Sequence, residues 1–149
     1  AYRAELGSVE ELAAERKALR AREDAARAAG DEAGAADLRA LVERKNRLLH
    51  RLEQLPRGTH FPLQVVFWSV GDAVWLGVQG ESYSLLQTEL RARFPHRTLV
   101  VATIAADWGA SYLPPRELYG KGIYQEHITV VAAGSLEELL AAITTRLSL

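Results

Sequence analysis

The chain contains neither cysteine nor methionine among its 149 residues. The absence of cysteine excludes disulfide bonds, thiolate metal sites, iron–sulfur clusters and cysteine nucleophiles. Basic and acidic residues nearly cancel to a formal net charge of −1, which gives no electrostatic attraction for a nucleic acid. The longest apolar runs, such as residues 99–106, are too short to span a bilayer. We therefore expect neither a nucleic-acid partner nor a transmembrane segment.

Charged residues are concentrated in the first part of the chain. Residues 1–57 hold 12 of the 18 basic and 11 of the 19 acidic residues, whereas all three tryptophans lie in residues 58–149. This shift in composition is typical of a boundary between a solvated helical element and a packed body. We predict an N-terminal antiparallel helical hairpin over residues 1–57. Over residues 58–149 we predict an α/β body, with α+β as the alternative class.

The first region has the capping and periodicity patterns of two helices. Ser8 and Glu11 form a capping box at the start of the first helix. Gly30 suits the position just after its end, and Asp31 begins a second helix that runs to about residue 55. The predicted apolar stripes are Val9, Leu12 and Leu19 in the first helix, and Leu38, Leu41, Leu48 and Leu52, widened by Val42 and Leu49, in the second. The hairpin is either a site for partner docking or an arm packed on its own body.

Strand and helix patterns alternate in the second region. Residues 63–70 and 73–78 are rich in β-forming residues, and the Gly71-Asp72 turn between them predicts a β-hairpin. A helix predicted over residues 83–94 is followed at 98–105 by a continuous apolar run, which is typical of a buried central strand.

The end of the chain has two further patterns. Residues 128–132 predict another short strand, and Ser135 with Glu138 predicts a second capping box. The final helix then runs to about residue 147. Taken together, these elements predict a mixed sheet layered with helices.

Common catalytic motifs are absent from the sequence. No two of the four histidines have the i, i+4 spacing of a helical metal-binding pair, and no GxSxG motif or phosphate-binding loop is present. The histidines are His50, His60, His96 and His127. His127 is of most interest because it lies close to an aromatic-rich loop.

Two segments that follow predicted strands could contribute to a site. Glu81 follows one strand, and the loop 107–112 follows the next. If those strands are parallel, both segments emerge at the same edge of the sheet and Glu81 faces the loop. The alternatives are that Glu81 caps a helix starting at Ser82, where a helix N-terminus favours acidic side chains, and that the loop is only a packed connection.

The order of these segments resembles the closing part of the catalytic domain in the neutral/alkaline ceramidase-like superfamily. The matching segments are VGDAVWLGVQGE at 70–81, VVATIAADWGASYLPPREL at 100–118 and GIY at 122–124. Bacterial relatives of that family also have a charged, alanine-rich helical stretch before the first of these strands, and residues 1–55 are similar to it. The resemblance thus extends over nearly the whole chain.

The resemblance implies a zinc-dependent amidase that hydrolyses N-acyl bonds. Zinc in that family is held by two histidines from an earlier part of the domain and by a glutamate and a tyrosine from its closing part. The two latter ligands correspond to Glu81 and Tyr112. We expect Asp107, Trp108, Tyr124 and His127 to surround these two residues.

The sequence also departs from the family pattern. Asp107 stands where the family usually has asparagine, Gln125 stands where it has glutamate, and the half with the two histidine ligands is absent. Glu81 and Tyr112 alone are too few for a tight zinc site. We therefore expect no complete catalytic site in this chain, with zinc bound only together with ligands from an N-terminal half of the same protein.

Two further interpretations follow from the same residues. A body that lacks half of its domain would expose an apolar face and form homo-oligomers or aggregate. Alternatively, the chain is a non-enzymatic interaction module, or a degenerate family member, that associates through its helical hairpin.

Overall fold

A computed structural model of the chain describes residues 1–105 and 109–149. The chain divides into two compact units. One comprises Ala4–Arg57, and the other comprises Ala1–Arg3 together with Gly58–Leu149. We call these the hairpin and the body.

The hairpin consists of two long α-helices, α1 (Val9–Ala28) and α2 (Glu32–Glu53), preceded by a short 3-10 turn at Ala4–Leu6. The predicted capping box is present at the start of α1. The Glu11 amide donates to Ser8 Oγ at 3.1 Å, and the Ser8 amide donates to the Glu11 carboxylate at 2.9 Å. Asp31 caps α2 by accepting a hydrogen bond from the Gly34 amide at 2.9 Å.

The buried side of α2 differs from the predicted leucine stripe. Ala35, Val42 and Leu49 are buried at seven-residue spacing, whereas Leu41 is 41% exposed. Val42 and Leu49 belong to the predicted stripe, where they were expected at its margin, and Ala35 is a buried position that the prediction lacks. Leu38, Leu48 and Leu52 are half-buried.

The sheet of the body contains β1 (Val65–Val70), β2 (Ala73–Val78) and β4 (Thr98–Thr103) in the order β1-β2-β4. Strands β1 and β2 are antiparallel and form the predicted hairpin, while β2 and β4 are parallel. Gly71 has a φ of 60°, which is the positive value that a two-residue hairpin turn needs at its first position. Two short segments, β3 (Glu81–Ser82) and β5 (Tyr112–Leu113), form a separate parallel pair.

The helices of the body contact one another and the strands. Helix α3 (Leu85–Arg93) contacts β4 and α5 (Ser135–Leu147), and the short helix α4 (Tyr124–Ile128) contacts β5. The apolar side chains that are almost completely buried in the body include Leu76, Val78, Leu86, Leu90, Leu113, Val130, Leu136 and Ile143. The predicted fold class is therefore confirmed: a helical hairpin followed by a mixed sheet and helices.

Three predicted details of the body are wrong. Strand β4 lies at an edge of the described sheet, because β2 has β1 and β4 as its two neighbours. Residues 128–132 form no strand beyond a single bridge between Tyr2 and Val131. Helix α5 begins at Ser135 after Gly134, which has a φ of 97°, so Ser135 is the first helical residue and makes no capping box.

Candidate functional site

Glu81 and Tyr112 are brought together by the short parallel pair of β3 and β5. The two residues are direct partners in its register, and the Glu81 amide donates a hydrogen bond of 2.8 Å to the Ser111 carbonyl. The parallel arrangement therefore places the two residues side by side, as the sequence predicted for two segments at one sheet edge. The alternative in which Glu81 caps the next helix is wrong, because α3 begins at Leu85 with Ser84 at its N-cap position.

Two more tyrosines complete a cluster with Glu81 and Tyr112, which we call the Glu81 cluster. The rings of Tyr112 and Tyr124 meet edge to face, with 5.9 Å between their centroids. Tyr83 lies two residues after Glu81 in extended chain, so that both side chains leave the backbone on the same side. Tyr83 is a member of the cluster that was not predicted, and its i, i+2 spacing from Glu81 is the signal in the sequence that indicates it.

The surroundings of Tyr112 and Tyr83 raise the pKa values of both hydroxyls. Loss of hydration raises the pKa of Tyr112, and the negative charge of Glu81 and a hydrogen bond to its carboxylate raise the pKa further. Loss of hydration and the Glu81 charge also raise the pKa of Tyr83. At neutral pH the Tyr112 hydroxyl is therefore a proton donor to Glu81.

The backbone beside the cluster is strained. Ile104 and Ser111 have φ values of 57° and 68°, in the left-handed region that residues with a side chain rarely adopt. Ile104 is β-branched, which makes this conformation especially unfavourable, and its amide donates to the Gly80 carbonyl at 2.9 Å. Such strain persists only where surrounding contacts enforce it, and it is concentrated at functional sites. The sequence contains no pattern that predicts it.

The other residues proposed from the sequence are placed as follows. Tyr124 and His127 lie on α4, and both are exposed. Asp107 and Trp108 lie outside the described residues.

The cluster offers two oxygen donors that converge, the Glu81 carboxylate and the Tyr112 hydroxyl. Zinc accepts carboxylate oxygen as a ligand but needs three or four protein ligands in all. Within residues 1–105 and 109–149, no three histidine, aspartate or glutamate side chains form a group that could hold a metal ion. Glu81 and Tyr112 alone are therefore too few to hold a zinc ion tightly.

Comparison of the chain with family models, with curated proteins and with solved structures gives no match. None of the helices in the described part of the chain is long and apolar enough to cross a membrane.

Proposed function

We propose that this chain is the closing part of a zinc-dependent amidohydrolase of the ceramidase-like type, and that it contributes Glu81 and Tyr112 as metal ligands. The observation that supports the proposal is the register pairing of these two residues, which are 31 positions apart in sequence. The resemblance named this pair as ligands, and a shared zinc ion requires that the two side chains lie together.

In the proposed site, the zinc ion supplies the reactive groups and this chain supplies two of its ligands. A bound zinc ion would supply a nucleophilic hydroxide near neutral pH and polarise the amide carbonyl. In the absence of metal, the Tyr112 hydroxyl donates a hydrogen bond to the Glu81 carboxylate, which holds the hydroxyl in place. Tyr124 packs against the Tyr112 ring and restricts its orientation.

The zinc content of the complete protein, purified from its source cells and measured by mass spectrometry, tests the proposal. We expect about one zinc ion per chain, and loss of most of it in Glu81→Gln, because removing one of about four ligands weakens a zinc site strongly. Tyr112→Phe should also lower the zinc content. Glu117→Gln, an equal change of charge at an exposed position, and Tyr124→Phe, which keeps the ring packing, are the matched controls. A complete protein without zinc, or one that keeps its zinc in Glu81→Gln, would contradict the proposal.

A second candidate function is self-association through the hairpin. It is favoured by the exposed Leu41 on α2 and by an open groove of about 680 Å³ beside three alanines of α1, Ala13, Ala14 and Ala21. The groove also has the basic side chains of Arg16, Lys17 and Arg20 along it. This function predicts self-association of the chain that Leu41→Lys disrupts.

A further inference from the structure

Among the described residues, strand β1 pairs with β2 alone, so its other side is an outer edge of the sheet. The Gln79 amide donates to the Gln64 carbonyl at 3.1 Å, and these two residues continue the register of β1 and β2. In an antiparallel pair, residues whose backbone groups point toward the partner alternate with residues whose groups point away. The N–H and C=O groups of Val65, Phe67 and Ser69 therefore point away from β2. In the described part of the chain, no other strand pairs with this edge.

The side chains of β1 do not protect this edge. Its sequence, VVFWSV, contains no charge, no proline and no glycine. Natural edge strands avoid pairing with other chains by means of charged residues, proline, bulges or a covering segment. Short uncharged segments with strong β-propensity are the ones that pair most readily with other strands. An extended strand without charged residues is therefore the occupant that this edge fits best.

The adjoining sheet face is also apolar and exposed. Val66, Trp68 and Val70 lie on one face of β1, and Trp75 lies opposite Trp68 on β2. Trp68 is 52% and Trp75 is 47% exposed. At about 250 Å² for a whole indole, the two rings together leave roughly 250 Å² exposed, a large share of the 300–600 Å² in the biggest apolar patch of a typical monomer.

We propose that the occupant is a second copy of this chain, whose β1 pairs antiparallel with β1 about a two-fold axis at Phe67. The three outward-pointing residues, Val65, Phe67 and Ser69, are spaced symmetrically about that axis. Each therefore finds an outward-pointing residue opposite it, Val65 against Ser69 of the second copy and Phe67 against its equivalent. The two sheets join into one sheet of six strands.

The side chains of β1 are complementary to themselves in this register. Val66 lies opposite Trp68 of the second copy, an aromatic and β-branched pair of the kind that stabilises antiparallel strands. No charge of β1 is brought against a like charge, because β1 has none. The pairing involves only one short strand of each chain. The surface that each chain buries is therefore smaller than the roughly 800 Å² per partner of a standard interface. We therefore expect a reversible dimer with a dissociation constant in the micromolar range.

Sedimentation equilibrium of the full chain tests the proposal, over about 1 µM to about 1 mM. We expect a monomer–dimer equilibrium that Ser69→Lys weakens by about tenfold or more, because a lysine on an edge strand opposes pairing and the two-fold axis introduces it twice. Thr98→Lys is the matched control, since it adds the same charge to an exposed residue of the other edge strand, β4. This control should leave the dissociation constant unchanged.

Amide hydrogen exchange of the unmodified chain gives a second readout that needs no variant. The amides of Val65, Phe67 and Ser69 should become protected as the concentration rises. The amides of Trp68 and Val70, which point toward β2, should be protected at every concentration. A chain that stays monomeric over the whole range would overturn the proposal. So would a dimer that Thr98→Lys or Leu41→Lys weakens and Ser69→Lys does not, because its contact would then lie at β4 or on the hairpin.

Discussion

Glu126 has a structural role in the body, whereas Glu81 belongs to the candidate site. Its carboxylate accepts hydrogen bonds from the amides of Gly120 at 2.8 Å and Gly122 at 2.9 Å, and Arg3 lies 3.9 Å from it. The pKa of Glu126 is lower than its usual 4.5. The hydrogen bond from the Gly120 amide lowers it most, and those from Gly122 and Lys121 and the charge of Arg3 lower it further. Burial acts in the opposite direction. Glu126 therefore holds the loop before α4 and the first residues of the chain in place.

A pH-dependent contribution to stability follows from the lowered pKa of Glu126. A carboxylate whose pKa is lower in the folded state stabilises the fold above the unfolded pKa, and this stabilisation is lost as pH falls through the folded value. We expect Glu126→Gln to lower the melting temperature at pH 7, because the amide of glutamine presents an N–H group to backbone donors. The difference from the unmodified chain should shrink below pH 4.5.

Thermal unfolding followed by tryptophan fluorescence checks this prediction, because all three tryptophans lie in residues 58–149. Glu117→Gln, at an exposed position, is the control for loss of one negative charge. An equal drop in melting temperature for both variants, or a Glu126→Gln effect that does not change between pH 7 and pH 3, would show that the loop hydrogen bonds do not stabilise the body.

At the scale of elements, the capping box of α1 is a local device whose effect can be isolated. Ser8→Ala removes the acceptor of the Glu11 amide and should destabilise the hairpin by about 1 kcal/mol. Ser8→Asp keeps a capping oxygen and should restore most of that loss. Exchange of the amides in the first turn of α1 measures the effect directly. If Ser8→Ala leaves that exchange unchanged, the hydrogen bonds of the box do not stabilise the helix start.

The elements that sequence reasoning predicts well are those with local determinants. Helices α1, α2, α3 and α5 and the β1–β2 hairpin follow from periodicity, caps and one turn glycine. The wrong details depend on partners distant in sequence. Ile128 is the last residue of α4, and the residues after it pair with the first residues of the chain, where the Arg3 amide donates to the Val130 carbonyl and the Ala132 amide to the Ala1 carbonyl. The predicted capping box of Ser135 and Glu138 is absent because Gly134, in a left-handed conformation, is the N-cap of α5, and the neighbouring Glu137 carboxylate accepts a hydrogen bond from the distant Arg116 amide.

The candidate site shows the same division between local and distant causes. Glu81 and Tyr112 were proposed from a resemblance, and their side-by-side position follows once the two strands before them are parallel. Ile104 and Ser111, the two strained residues, each make a backbone hydrogen bond across this junction to residues 80 and 81, which are distant in sequence, and no single-residue preference predicts their conformation. Tyr83 enters the cluster only because the chain after Glu81 stays extended for two residues.

For the molecule as a whole, the proposed function predicts a weak response of this chain to zinc. A complete site that is loaded at a thousand times its dissociation constant stabilises a protein by about 4 kcal/mol. Because this chain offers zinc only two converging oxygen donors, we expect it to bind zinc with a dissociation constant of about 1 mM or weaker. Zinc at about 0.1 mM then adds roughly 0.1 kcal/mol or less to the free energy of unfolding. Thermal unfolding of the chain with and without zinc, beside Glu81→Gln, measures this difference. A saturable stabilisation of several kcal/mol that Glu81→Gln abolishes would mean that this chain completes a metal site by itself, and the need for histidines from a longer protein would then be wrong.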